Sequence, residues 1–225
     1  MPLPTIVFDL DGTLVDTAPD LIDTLNLILA RHEVAPIAFE RGRTMIGGGV
    51  KPLLVQALAT RDINLSAGEL DRLFAEYLEL YAAHIADRSR PFPGLESTLD
   101  VLAARGWSFA VCTNKLEWLS VRLLDALNLS RHFAAICGQD TFGVQKPDPD
   151  ILRRTIARAG GDIGLAVMVG DSMTDVATAR NAGVPVVAVD FGYTETPPHA
   201  FGADRLISHF DALPQAIQGL APARS

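Results

Sequence analysis

A chain of 225 residues, 48% of them apolar, is long enough for one core domain with a sizeable insertion and too hydrophobic to stay disordered. Its 19 basic and 27 acidic side chains leave a formal charge of −8, which argues against nucleic acid and anionic membranes as main partners. Two cysteines without metal-type spacing, Cys112 and Cys137, point to a reduced, cytoplasmic chain, and nothing in it resembles a signal peptide or a membrane-spanning run.

The first element organises the rest. Ile6-Val7-Phe8 reads as a buried strand, and it runs straight into Asp9-Leu10-Asp11-Gly12-Thr13-Leu14. Residues i and i+2 share a strand face, so the two carboxylates point the same way if the extended geometry persists. Two like charges ~4 Å apart repel by about 4 kcal/mol at an effective dielectric near 20, so the pair calls for a cation or a shared proton. A solvated pair in an Asp-Gly turn is the alternative.

Thr17 then stands as the cap of a helix with Pro19 and Asp20 in its first turn and Leu21, Ile22, Leu25, Ile28 and Leu29 at helical spacing. Gly47-Gly48-Gly49 breaks the pattern. A second helix is predicted over 52–59, and a Ser66/Glu69 capping box opens a long third one over 66–86. Residues 16–88 are therefore expected to be wholly helical. Pro91-Phe92-Pro93-Gly94 is strong punctuation. Beyond it helices over 95–105, 116–127, 149–159 and 174–182 alternate with strands over 108–113, 134–137, 166–170 and 184–190. Trp107 and Trp118 read as packing residues, and 221–225 as a frayed tail. Strict alternation means a parallel sheet, so the fold class is α/β: a Rossmann-like sheet with helices on both faces and one all-helical insertion.

Open parallel sheets place ligands beyond the carboxyl ends of their strands. Three later strands or connections end in polar groups: Thr113-Asn114-Lys115, Lys146-Pro147 ahead of a helix, and Gly170-Asp171-Ser172-Met173-Thr174-Asp175. Singly, each has a plain explanation as a cap or a surface residue. Together they collect two acid pairs, a hydroxyl and a lysine at one sheet edge, which marks a functional site.

In order and wording, Asp9-Leu-Asp11-Gly-Thr-Leu, Thr113, Lys146-Pro and Gly170-Asp171-Ser-x-x-Asp175 resemble the four motifs of the haloacid dehalogenase superfamily, over the whole chain. The insertion resembles the helical cap of its phosphatase branch, which implies a core of residues 1–15 and 89–225 and a cap domain of 16–88. Ile46-Gly47-Gly48-Gly49, Thr113-Asn114-Lys115 and Phe191-Gly192-Tyr193 resemble the phosphoglycolate phosphatases in particular. True dehalogenases lack an acid at the place of Asp11.

The resemblance implies an enzyme that hydrolyses a small phosphorylated metabolite, with 2-phosphoglycolate foremost. Another capped phosphatase acting on sugar phosphates or pyrophosphate, or a phosphosugar mutase, stays open; a receiver-like phospho-accepting domain is the remote alternative. Asp9 would be the nucleophile and Asp11 the acid–base. Mg²⁺ would be held by Asp9, the Asp11 carbonyl and Asp171, with Asp175 close by. Thr113 and Lys146 would hold the phosphoryl group, with Asn114 beside them. Because a charge of −8 steers an anion poorly, cations must act locally. Arg43 and Lys51, flanking the loop that contains Gly48, are the candidates for the substrate's carboxylate, unless they are merely solvated helix ends. A monomer or homodimer is expected.

Overall fold

The computed structural model describes residues 3–194 and 196–220; the expected tail at 221–225 lies outside the described residues. In chain order the elements are β1 (Leu3–Phe8), β2 (Val15–Asp16), α1 (Ala18–Arg31), α2 (Phe39–Arg43), α3 (Val50–Ala59), α4 (Ala67–Ala83), β3 (Arg90–Pro91), α5 (Leu95–Ala104), β4 (Ser108–Cys112), α6 (Glu117–Ala126), β5 (Ala135–Cys137), α7 (Pro149–Arg158), β6 (Gly161–Gly170), α8 (Met173–Ala182), β7 (Val186–Val189), β8 (Arg205–Ile207) and α9 (Leu213–Ala216).

Six strands pair in parallel in the order β5-β4-β1-β6-β7-β8, which puts β1 at the centre between β4 and β6. A strand buried on both faces reads as an unbroken apolar run, and β1 is one. Ile6 and Phe8 pack on one side with Val111, Val167, Val169 and Val187, while Val7 packs on the other with Ala110, Cys112, Met168 and Ala188. Central placement carries Asp9 to the middle of the sheet's carboxyl edge, where its amide still donates to the Val169 carbonyl (2.9 Å).

Between β2 and β3 the chain forms α1 to α4. The predicted helices are present, the Ser66–Glu69 capping box among them. Tyr77 and Tyr81, stacked and wholly buried, tie α4 to α1, with the Tyr77 hydroxyl donating to the Leu21 carbonyl (2.8 Å). The helix α2, the strand β8 and the short α9 extend the expected set. So does the antiparallel ribbon of β2 and β3, at which the chain leaves the sheet region and returns. Asp20 clasps this crossing. Its buried carboxylate accepts from the backbone N–H of Arg88 and Ser89 and from the Ser89 hydroxyl at 2.6–3.1 Å. Two expectations need correction. The Thr17 side chain does not cap α1, because its hydroxyl donates to Asp11 instead (2.7 Å). Trp118 is half exposed rather than packed. Among the described residues no helix is long and apolar enough to cross a membrane.

Candidate active site

Asp9, Asp171 and Asp175 converge at the carboxyl ends of β1 and β6, each offering an oxygen within 4.8 Å of the others, and all three are buried. Each is anchored differently. Asp171 accepts from the Thr13 hydroxyl (2.9 Å) and the Tyr193 amide (2.9 Å). Asp175 closes a capping box with Ser172 at the start of α8 and takes the Lys146 ammonium at 2.6 Å. That ammonium also stands 2.8 Å from Asp9. Gly12, at φ +83°, lets the chain turn directly over Asp171; a Cβ there would come within 2.5 Å of its carboxylate.

Three carboxylates against one ammonium leave this cluster two negative charges in excess. Burial pushes Asp9 up to about 8, with Asp175 and Asp171 adding to the rise and Lys146 opposing it. Burial, and then Asp175, likewise push Asp171 up to about 6 against its two hydrogen bonds. Burial works against the charge of Lys146, yet Asp175 and Asp9 outweigh it and hold the ammonium protonated. A deficit of two positive charges among hard oxygen donors fits a divalent hard cation such as Mg²⁺. Both oxygens of Asp171 and both of Asp175 already accept hydrogen bonds, from Thr13 and Tyr193 and from Lys146 and Ser172, so an ion on either would use a second lone pair of the same oxygen.

Asp11 stands apart from this cluster. Its carboxylate accepts from the Lys115 ammonium at 2.9 and 3.0 Å and from the Thr17 hydroxyl. Thr113 and Asn114 follow β4. The Thr113 hydroxyl, nearly fully buried, accepts from the Lys115 amide (3.1 Å). The Asn114 side chain accepts from the Lys146 amide (2.9 Å) and donates to the carbonyls of Lys146 and Gly47, so it braces the glycine loop against the lysine segment. A pocket opens between the two halves of the molecule. Asp9, Asp11, Thr113, Asn114, Lys115 and Gln139 line it on the sheet side, and Leu21, Ile46, Gly47, Gly49, Val50 and Phe74 on the helical side.

The comparisons bear on what such a site does. The profile of the haloacid dehalogenase-like hydrolases matches residues 6–189. The chain belongs to that family. Among its curated relatives, the phosphoglycolate phosphatase of Mesorhizobium japonicum is 49% identical over 95% of this chain and 94% of its own. That of Caulobacter vibrioides is 47% identical over 94% and 90%. A solved structure described as a predicted phosphoglycolate phosphatase from Haemophilus somnus superposes with a TM-score of 0.88 at 27% identity, covering 95% of this chain and 97% of that one. CbbY from Rhodobacter sphaeroides, solved in complex with phosphate, superposes at 0.77 with 25% identity over 94% and 96%. This haloacid dehalogenase-like hydrolase is a phosphatase.

Within the hydrolase, the structure does not bring the two expected substrate cations to the pocket. Arg43 lies over the Tyr193 ring and donates to the carbonyls of Phe191 and Gly192. Lys51 pairs with Asp71 at 2.6 Å on an exposed surface, beside Phe74. Of the glycine loop, Gly47 and Gly49 line the pocket and Gly48 does not. Two residues that do matter to the geometry carried no role in the sequence. Lys115 grips Asp11. Tyr193 accepts the Thr17 and Ala18 amides on its hydroxyl, donates to Asp16, and gives its own amide to Asp171. Lys115 stood in a polar strand-end run and the family likeness pointed at both, but neither role was legible, since their partners lie 104 and 177 residues away.

Proposed function

We propose that the chain is a Mg²⁺-dependent phosphomonoesterase that hydrolyses 2-phosphoglycolate to glycolate and phosphate through an aspartyl-phosphate on Asp9. The buried acid cluster, two charges short of neutral and open to a pocket at the sheet's carboxyl edge, is the observation that carries the reading. The shared length and identity with two phosphoglycolate phosphatases support the substrate.

Asp9, Asp171 and the Asp11 carbonyl would hold the metal, with Asp175 supplying charge behind them. Bound there, Mg²⁺ offsets the excess negative charge and polarises the phosphoryl group. Asp9 attacks phosphorus, and the bond to the ester oxygen breaks as Asp11, entering this step in its protonated form, delivers its proton to that oxygen. In the second step Asp11 takes a proton from the water that attacks the acyl phosphate, so phosphate leaves and Asp9 is regenerated. Splitting one displacement into two is the gain from the covalent step, and acid–base help adds about 10²–10⁴-fold. Lys146, fixed by Asp175, and the Thr113 hydroxyl face the phosphoryl oxygens.

The proposal includes a division of labour: residues 1–15 and 89–225 carry the chemistry, and 16–88 act as a cap that shields it from water. The two free, buried cysteines suit a reducing, cytoplasmic setting. Burial pushes Cys112 up to about 12, which keeps it an inert thiol. A phosphate-release panel with and without Mg²⁺ tests the function. The expected result is metal-dependent turnover with 2-phosphoglycolate ahead of sugar phosphates and pyrophosphate. Metal-independent release, or a clear preference for a sugar phosphate, contradicts it.

A further inference from the structure

We propose that Lys115 selects the substrate, by receiving the carboxylate of a phosphate ester whose acid group sits one carbon from the ester oxygen. The proposal rests on the reading of a phospho-acid as substrate and names the residue that reads the acid. Among the residues lining the pocket Lys115 is the one cation, and its side chain is only 3% exposed. Lys146 is held between Asp9 and Asp175, and Arg43 and Lys51 are engaged away from the pocket.

The partners of Lys115 leave it able to take a second acid. Its ammonium meets Asp11 on one side and the face of the Tyr81 ring, 4.7 Å from the centroid, on another. A ring face offsets part of the desolvation of an ammonium without bringing a second anion, and an ammonium has three donors to distribute. Place matters as much as charge. If Asp11 serves the ester oxygen, the cation that touches Asp11 and shares its pocket lies within reach of whatever is bonded one carbon further out. In 2-phosphoglycolate that group is the carboxylate. The facing wall of Leu21, Ile46, Val50 and Phe74 suits a methylene. It would leave the several hydroxyls of a sugar phosphate without partners, and unpaired buried hydroxyls are costly.

Two phosphonates that differ only at this position test the idea: 3-phosphonopropionate, which keeps the acid, and propylphosphonate, which replaces it with a methyl group. Both are assayed as competitive inhibitors of p-nitrophenyl phosphate turnover by the Mg²⁺-loaded full chain. The wild type is expected to bind the acid form about 10- to 100-fold tighter, the worth of one charge-assisted contact. Lys115→Met is expected to collapse that ratio to near one, and Lys115→Arg to keep most of it, whatever either does to turnover. A ratio that survives Lys115→Met overturns the proposal. So does a wild type that shows no preference, a result that stands even if the Met variant fails to fold. If the ratio behaves as expected while 2-phosphoglycolate is not hydrolysed, Lys115 still reads the acid and the choice of substrate is what fails.

Discussion

At the scale of single residues, the excess negative charge around Asp9 makes testable demands. In the metal-free protein Asp9 and Asp171 bind protons more tightly than in the unfolded chain, where the ordinary value is 3.8. The folded state therefore holds more protons than the unfolded one through a window reaching up to about 8, and stability falls as pH rises through it. A divalent ion replaces those protons. The rise in Tm on adding Mg²⁺ should accordingly be larger near pH 8 than near pH 5.5, in thermal melts against EDTA controls; equal increments would contradict the charge deficit. Asp9→Asn removes one of the surplus charges and leaves Lys146 its bond to Asp175. It should melt higher than the wild type in EDTA above about pH 8, where Asp9 carries that charge, while turnover falls by ~10⁴-fold or more. A variant that melts lower under those conditions would count against the electrostatic account. Much of this was legible in the chain, because Asp9, Lys146, Asp171 and Asp175 each sit where a strand ends or a helix begins, and strand ends announce themselves. The grip of Lys115 on Asp11 was not, since no spacing rule joins positions 104 apart.

At the scale of elements, the crossing between the sheet and the helical segment is the feature that periodicity could not reveal. Two-residue strands carry no alternation to detect, so β2 and β3 were invisible, whereas the buried run of β1 and the amphipathic α1 and α4 stood out. The crossing is held by side chains from far apart. Asp20 on α1 accepts from the returning chain at Arg88 and Ser89, and the Tyr193 hydroxyl receives the first amides of α1 where a Thr17 side-chain cap was expected. Asp20→Ala should cost about 2–4 kcal/mol by chemical denaturation, because it strands buried N–H and O–H groups together. Tyr193→Phe should cost about 1–2 kcal/mol, the range of losing a helix cap, and should loosen Asp16 with it. A loss below about 0.5 kcal/mol for Asp20→Ala, the range of an ordinary surface change, would show that the ribbon does not depend on this clasp.

At the scale of the whole molecule, the pocket between the two halves has a cavity of about 30 Å³, room for little more than a water. On the proposed reading, the helical side would move to admit a phosphorylated acid to so small a cavity. The Asn114 contact to the Gly47 carbonyl and the close approach of Gly49 to the Asn114 carbonyl are among the points where the halves touch, together with Arg43 on the Phe191 and Gly192 carbonyls and Lys115 against the Tyr81 ring. Hydrogen exchange should find the amides around residues 46–50 less protected in the free enzyme than in the presence of Mg²⁺ and a bound phosphonate. The family fold and the helical insertion were foreseeable from the order of elements. How tightly the insertion closes was not, because closure depends on side chains of both halves meeting in three dimensions.

The central claim is that Asp9 becomes phosphorylated, and an acid quench of the enzyme during turnover of 2-phosphoglycolate tests it most directly. Peptide mass spectrometry should find one phosphoryl group on the peptide carrying Asp9, removable by hydroxylamine and missing from Asp9→Asn. A phosphoryl group on another residue, or turnover by Asp9→Asn at a rate near the wild type's, would contradict the account.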